Sequence, residues 1–176
     1  MSIQDEVNYW CHQGRLFVLE PMMPGTPIER RLYVSYDLRA FLEGPWVDSV
    51  EEYRAGKLQA QLEMFIVGDP ISVAQDPYKK PKRAYMARVD PKADEVWDIR
   101  SRDPKPGIRV FGRFAETDVF VALTWSERDR LAGRGSRQWR DAREECKTKW
   151  KHLFPAYDPV NGSNLNDYIS TNVVPV

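Results

Sequence analysis

The sequence predicts an α+β fold: a small antiparallel-rich sheet packed by an N-terminal helical pair and a C-terminal helix. Three patterns carry this expectation. Apolar residues recur at helical spacing between residues 37 and 66, the period switches to two between 83 and 125, and one apolar helical stripe runs between 136 and 154. With 176 residues, 42% of them hydrophobic, the chain can pack one core but is short for two.

In chain order, Arg15 to Glu20 reads as a strand, and the three prolines and one glycine of Pro21–Pro27 enforce a loop. Arg31 to Tyr36 is a second strand, with Leu32 and Val34 on one face and Tyr33 and Ser35 on the other. Asp37 is placed to cap a short helix carrying Leu38, Phe41 and Leu42, which Gly44-Pro45 ends. Ser49 and Glu52 have capping-box spacing and open a longer helix through Tyr53, Leu58, Leu62, Phe65 and Ile66. Gly68-Asp69-Pro70 stops it.

A Pro- and Lys-rich loop over 76–82 follows, and then four segments read as strands: Arg83 to Val89, Glu95 to Arg102, Ile108 to Ala115 and Asp118 to Trp125. Asp90-Pro91, Asp103–Gly107 and Glu116-Thr117 mark the turns, so an antiparallel meander is the economical topology. In the last strand Val119, Val121, Leu123 and Trp125 alternate with Phe120, Ala122 and Thr124, and two apolar faces mark a central strand. From Ser136 to Phe154, Trp139, Ala142, Cys146, Trp150 and Leu153 form a helical stripe beside a basic one of Arg140, Arg143, Lys147 and Lys151. The chain therefore divides into an N-terminal extension of strand and Pro-rich loop (1–35), an α+β domain (36–154) and an extended C-terminal tail (155–176).

The 26 basic and 26 acidic side chains cancel, but they are unevenly spread. Residues 1–78 carry 6 basic and 12 acidic groups, residues 79–152 carry 20 and 12, and residues 153–176 carry none and 2. A basic middle of this kind can attract phosphate locally while the whole surface does not. No apolar run approaches the length of a membrane span, and Met1–Glu6 is polar and acidic, so a chain without membrane segments in the cytoplasm is expected. Two cysteines, Cys11 and Cys146, and two histidines, His12 and His152, make neither a disulfide framework nor a four-ligand zinc motif; no metal and no cofactor is expected. Cys11-His12 could be a nucleophile and a base, but no third partner accompanies the pair.

The chemistry sits in strand-borne arginines. Arg100 and Arg102 share a face with Asp98, and Arg109 and Arg113 flank Phe111 on the next strand. Paired as a hairpin, these strands bring the guanidinium groups together, and such groups cannot lie unpaired in an apolar core. Their face must be wet, matched by carboxylates, or used to hold an anion. Arginine presents a donor fork that fits phosphate oxygens, and Phe111 offers a surface on which a base can stack. Arg128, Arg130, Arg134 and Arg137 follow the last strand as a rim, and Lys80 and Lys82 supply further contacts from the preceding loop. A solvated face laced with salt bridges to Asp98, Asp103 and Glu116 explains the same spacing.

The runs Val96-Trp97-Asp98-Ile99-Arg100, Gly107-Ile108-Arg109-Val110-Phe111 and Val119–Trp125 resemble the strand core of the RelE/HigB-type toxin superfamily, including its phage-derived members. With the helical pair before the sheet and the helix containing Ala142-Arg143 after it, the resemblance covers roughly residues 36 to 154. It implies a compact sheet with helices against it and an mRNA interferase, a ribosome-dependent endoribonuclease in which the ribose 2′-OH attacks its adjacent phosphate. By motif position Arg100 and Arg109 are the phosphate stabilisers, and Arg128 and Arg130 stand where the family often has two lysines. Arg102, Phe111, Arg113, Lys80, Lys82, Arg134 and Arg137 are the expected RNA contacts. RNA or the ribosome and an antitoxin are the implied partners. The alternative is a non-enzymatic protein- or nucleic-acid-binding protein of phage or mobile-element origin.

Overall fold

The computed structural model describes all 176 residues. Helix α1 (Ile3–His12) opens on a reciprocal cap: the Ser2 hydroxyl accepts from the Asp5 N–H at 3.2 Å, and the Asp5 carboxylate accepts from the Ser2 N–H at 2.7 Å. It buries Ile3 and Val7, too few apolar positions to announce a helical period. Strands β1 (Leu16–Val18) and β2 (Arg31–Ser35) follow, then helices α2 (Tyr36–Glu43) and α3 (Ser49–Ile66). Both helices start from caps one or two residues before those expected. Ser35, not Asp37, accepts from the Leu38 N–H, and Asp48, not Ser49, accepts from the Glu51 N–H at 2.9 Å.

The remaining elements are β3 (Ile71–Ala74), β4 (Met86–Arg88), β5 (Trp97–Ser101), β6 (Ile108–Glu116), β7 (Val119–Glu127), α4 (Arg137–Leu153) and β8 (Val173–Pro175). Strands β4 to β7 pair in sequence as an antiparallel meander. The sheet is larger than expected and mixed: eight strands in the order β1-β2-β7-β6-β5-β4-β3-β8, with β2 parallel to β7 and β3 parallel to both β4 and β8. Three of the added or shortened strands, β1, β4 and β8, are three residues long, and β3 is four, below the length at which alternation can be read.

Both faces are covered. On one, Leu32, Val34, Trp97, Ile99, Val110 and Phe120 pack under Leu58, Leu62 and Phe65 of α3 and Leu38 of α2. On the other, Tyr33, Phe111, Val121 and Leu123 pack against Val7 of α1 and Cys146 and Trp150 of α4. Each such side chain, removed from water, contributes about 1.5–3 kcal/mol.

The alternation expected along β7 breaks at a bulge. Phe111 faces Thr124 but Gly112 faces Ala122, so Leu123 is the extra residue. Thr124 thereby joins the row of Phe111, and Trp125 turns to the α2 side, its ring 4.4 Å from that of Phe41. Gly112 is required here, since a Cβ would run into the Val121 carbonyl oxygen and the Phe120 ring.

The ends are built into this body. Residues 1–35 supply α1, β1 and β2. Residues 155–176 supply β8 and bury Tyr168 and Ile169 completely. The fully buried Arg30 holds the tail by donating from Nη2 to the Thr171 carbonyl at 2.8 Å, while its Nη1 donates to the Phe65 carbonyl at the end of α3. The Tyr168 hydroxyl donates to Glu95 at 2.8 Å and accepts from Arg88 at 3.1 Å, inside a buried cluster. No helix is long and apolar enough to cross a membrane.

Candidate functional site

Register alone aligns two rows across β5, β6 and β7 on the α4 face: Asp98–Phe111–Thr124 and Arg100–Arg109–Ser126. A step beyond, the small Ala87 of β4 lies opposite Asp98. Phe111 is covered by α4, but α4 begins only at Arg137, so Arg100 and Arg109 of the second row are left open as the floor of a hollow of about 550 Å3. Lys80 and Lys82 from the loop before β4 form one wall. Trp139, Arg140 and Arg143 from the first two turns of α4 form another, and Arg128, Arg134 and the Gly135 backbone close the third side. Arg102, Lys105 and Gly107 lie at the mouth beside the β5–β6 turn.

Ten cationic side chains line this space against one carboxylate, Asp90, whose Oδ1 accepts from the Tyr78 hydroxyl at 2.7 Å. Asp98 lies beneath the floor with no exposure. Its Oδ1 accepts from Arg100 Nε at 3.1 Å, and its Oδ2 is 3.7 Å from Arg109 Nη1, too long for a hydrogen bond. Asp98 Oδ2, Arg109 Nη1 and Thr124 Oγ1 are buried polar atoms without a hydrogen-bond partner. Arg143 is fully occupied by Asp94, Glu144 and the Asp90 carbonyl, and Lys105 sits 3.9 Å from Asp103. Lys80, Lys82, Arg102, Arg128, Arg134 and Arg140 have no carboxylate within salt-bridge distance.

This crowding has electrostatic consequences. Burial pulls the Arg109 pKa down to about 10; Asp98 opposes the change, and Arg100, Arg128 and Arg102 reinforce it. Burial likewise lowers the Lys80 ammonium, again with Asp98 opposing and with Arg100, Arg134 and Arg109 adding to the effect. Helix α4 has no acidic residue in its first turn, where negative charge is ordinarily favoured, and places Arg137 and Arg140 there instead. Cations at the positive end of a helix are unfavourable until an anion joins them.

Of the residues singled out in the sequence, Arg100, Arg102, Arg109, Arg128, Arg134, Lys80 and Lys82 meet in the hollow. Four do not. Phe111 is fully buried and meets the Trp139 ring edge-on at 5.6 Å, so no base can stack on it. Arg113 lies farther along β6 under α4, donating to the Asp94 carbonyl with its guanidinium 5.5 Å from the Trp150 ring. Arg130 turns outward to Glu127 at 3.0 Å, and Arg137 to Asp141 at 3.5 Å, each more than three-quarters exposed. A short 3₁₀ turn over Arg128–Leu131 separates Arg128 from Arg130, so two residues apart in sequence they face different surroundings.

Lys105, Trp139, Arg140 and Arg143 also line the hollow, and none of them stood among the expected phosphate or RNA contacts. Trp139 takes the place expected of Phe111: Arg128 and Lys80 lie 5.7 and 5.9 Å from its ring centroid. The basic stripe beside Trp139, in a helix with no acidic first turn, was the available signal. No group of three His, Cys, Asp or Glu side chains is placed to hold a metal ion. His12 Nδ1 lies 2.7 Å from the Asn8 carbonyl of its own helix, and the hollow contains neither Cys11 nor His12. Comparison of the chain with protein-family models, with curated proteins and with solved structures finds no match.

Proposed function

We propose that the chain binds the sugar-phosphate backbone of single-stranded RNA in this hollow, acting as a RelE/HigB-like toxin domain. The observation that carries the reading is the charge count: ten cations face one lining carboxylate, and six of the ten have no acidic partner at all. Concentrating like charges costs stability, and a bound polyanion removes that cost. Arginine forks on a rigid floor suit phosphate oxygens, and the half-buried Trp139 in the wall offers a ring for a base. A recess of about 550 Å3 has small-molecule dimensions and suits one or two nucleotides of a single strand rather than a duplex.

Cleavage needs a proton acceptor as well as a phosphate clamp. Arginine charge can stabilise a phosphorane, but even Arg109, its pKa drawn down to about 10, keeps its proton near neutral pH. Lys80 is the group in the hollow whose ammonium is made easier to deprotonate, by burial and three neighbouring arginines. In the reaction the resemblance implies, the 2′-oxygen bonds to phosphorus, the bond to the 5′-oxygen breaks, and Lys80 takes the 2′-OH proton while water protonates the leaving oxygen. The products are a 2′,3′-cyclic phosphate and a 5′-hydroxyl. The ribosome and a neutralising antitoxin are the partners this reading adds.

Fluorescence anisotropy with a labelled single-stranded oligoribonucleotide tests binding, comparing the unaltered chain with Arg109→Met and Arg128→Ala. Binding that weakens in both variants and falls steeply with salt is expected; equal binding by all three overturns the reading. Expression of the same variants, with growth and message integrity followed, separates the two levels. Growth arrest that depends on Arg109 supports the nuclease. Unimpaired growth with RNA binding retained assigns the non-enzymatic role.

A further inference from the structure

A second cavity adjoins the first. Arg100, Ser101 and Arg102 line both: the hollow on the α4 face, and a recess of about 350 Å3 that opens toward α3. The end of β5 is thus a ridge between two basins. The second basin adds Lys57 of α3 and Arg83 of the loop before β4, both exposed and neither within salt-bridge distance of a carboxylate. Its one acidic lining residue, Asp103, is paired with Lys105. On the ridge, Arg102 Nη2 donates to the Ala84 carbonyl at 3.0 Å, while its Nε is buried without a partner. Arg100 and Arg83 both press on Arg102 electrostatically, so the positive charge is continuous from one basin to the other.

Building on the RNA-backbone reading above, we infer that the ligand is a strand long enough to cross this ridge. One phosphate sits on Arg109 in the first basin, the chain bends over Ser101 and Arg102, and later phosphates are held by Lys57 and Arg83 in the second. Two basins joined by a cationic ridge suit a polymer; a mononucleotide would use one and leave the other idle. The pair Lys57 and Arg83 therefore sets a length requirement and does not take part in the first basin's chemistry.

The test uses 2′-O-methyl oligoribonucleotides of two and six residues, which cannot be cleaved, with the unaltered chain and the double variant Lys57→Ala/Arg83→Ala. Both side chains are exposed, so the variant keeps its fold. The unaltered chain binds the six-residue strand more tightly than the two-residue one. The variant loses about tenfold in affinity for the longer strand near physiological salt, and its slope of log affinity against log salt falls by about 1.4, the loss of two single-strand phosphate contacts. Its affinity for the short strand is unchanged. A variant that binds the longer strand as well as the unaltered chain, or weakens equally on both, overturns the second basin while leaving the first intact. Failure of the unaltered chain to bind either strand overturns both.

Discussion

Replacing Arg109 with methionine is expected to stabilise the free protein while weakening its hold on RNA. Arg109 is 15% exposed, and its nearest carboxylate oxygen is 3.7 Å away. Burial, only partly opposed by Asp98, pulls its pKa to about 10. At 1.36 kcal/mol per pKa unit, the charged side chain is about 3 kcal/mol worse placed in the fold than in water. Because the folded value lies below the unfolded one, the unfolded chain binds more protons between about pH 10 and the ordinary arginine value. Stability from this residue rises with pH across that window, and below it the penalty is complete. Arg109→Met fills similar length with apolar atoms and leaves Asp98 paired with Arg100 at 3.1 Å. A gain of about 1–3 kcal/mol at pH 7 is expected, at about 2–4 °C in Tm for each kcal/mol. Denaturant unfolding at pH 7 and above pH 10 measures it, with the gap between the two proteins closing in the alkaline range. Saturating RNA, at a hundred times Kd, should add about 2.7 kcal/mol to the unaltered chain and much less to the variant. A variant destabilised by more than about 1 kcal/mol that still binds RNA would instead make Arg109 a structural partner of Asp98.

Three further perturbations probe the scaffold. Arg30→Ala strands the carbonyls of Phe65, Asp69, Thr171 and Asn172, so a loss of at least about 3 kcal/mol and faster amide exchange in β3, beside the released β8, are expected in native-state hydrogen exchange. Tyr168→Phe removes the hydroxyl shared by Arg88, Glu95 and Gly162; it should cost about 1–3 kcal/mol in urea unfolding and leave RNA affinity unchanged, because none of these residues lines either basin. Gly112→Ala drives a methyl into the Val121 carbonyl and the Phe120 ring, and about 2 kcal/mol of destabilisation is expected, with altered Trp125 fluorescence as the bulge shifts.

What the sequence could reveal of this molecule follows from how much chain each feature needs. The meander from 86 to 127 and helices α2, α3 and α4 are long enough to show their periods, and Arg100 and Arg109 alternate with apolar neighbours in plain view. The bulge at Leu123 has no signature except Gly112, and it alone decides that Trp125 leaves the face of Val121. Phe111 looked like a stacking surface because strand alternation places it beside Arg109; only the docking of Trp139 and Trp150 shows that it is covered. Arg113 has the same parity as Arg109 but lies four residues farther along β6, beneath the helix instead of beyond its start. The hollow exists because α4 begins where it does, a fact of tertiary placement. The walls come from three separated segments, around Lys80, Arg128 and Trp139, and no spacing rule links them.

The central claim is that the unpartnered cations of this hollow hold an RNA phosphate. A crystal structure of the chain with a 2′-O-methyl tetranucleotide tests it most directly. A phosphate oxygen within hydrogen-bond distance of the Arg109 guanidinium, on the side away from Asp98 and flanked by Arg128 and Lys80, is expected. A strand bound elsewhere, with Arg109 turned down onto Asp98 and the hollow holding only water, would contradict it.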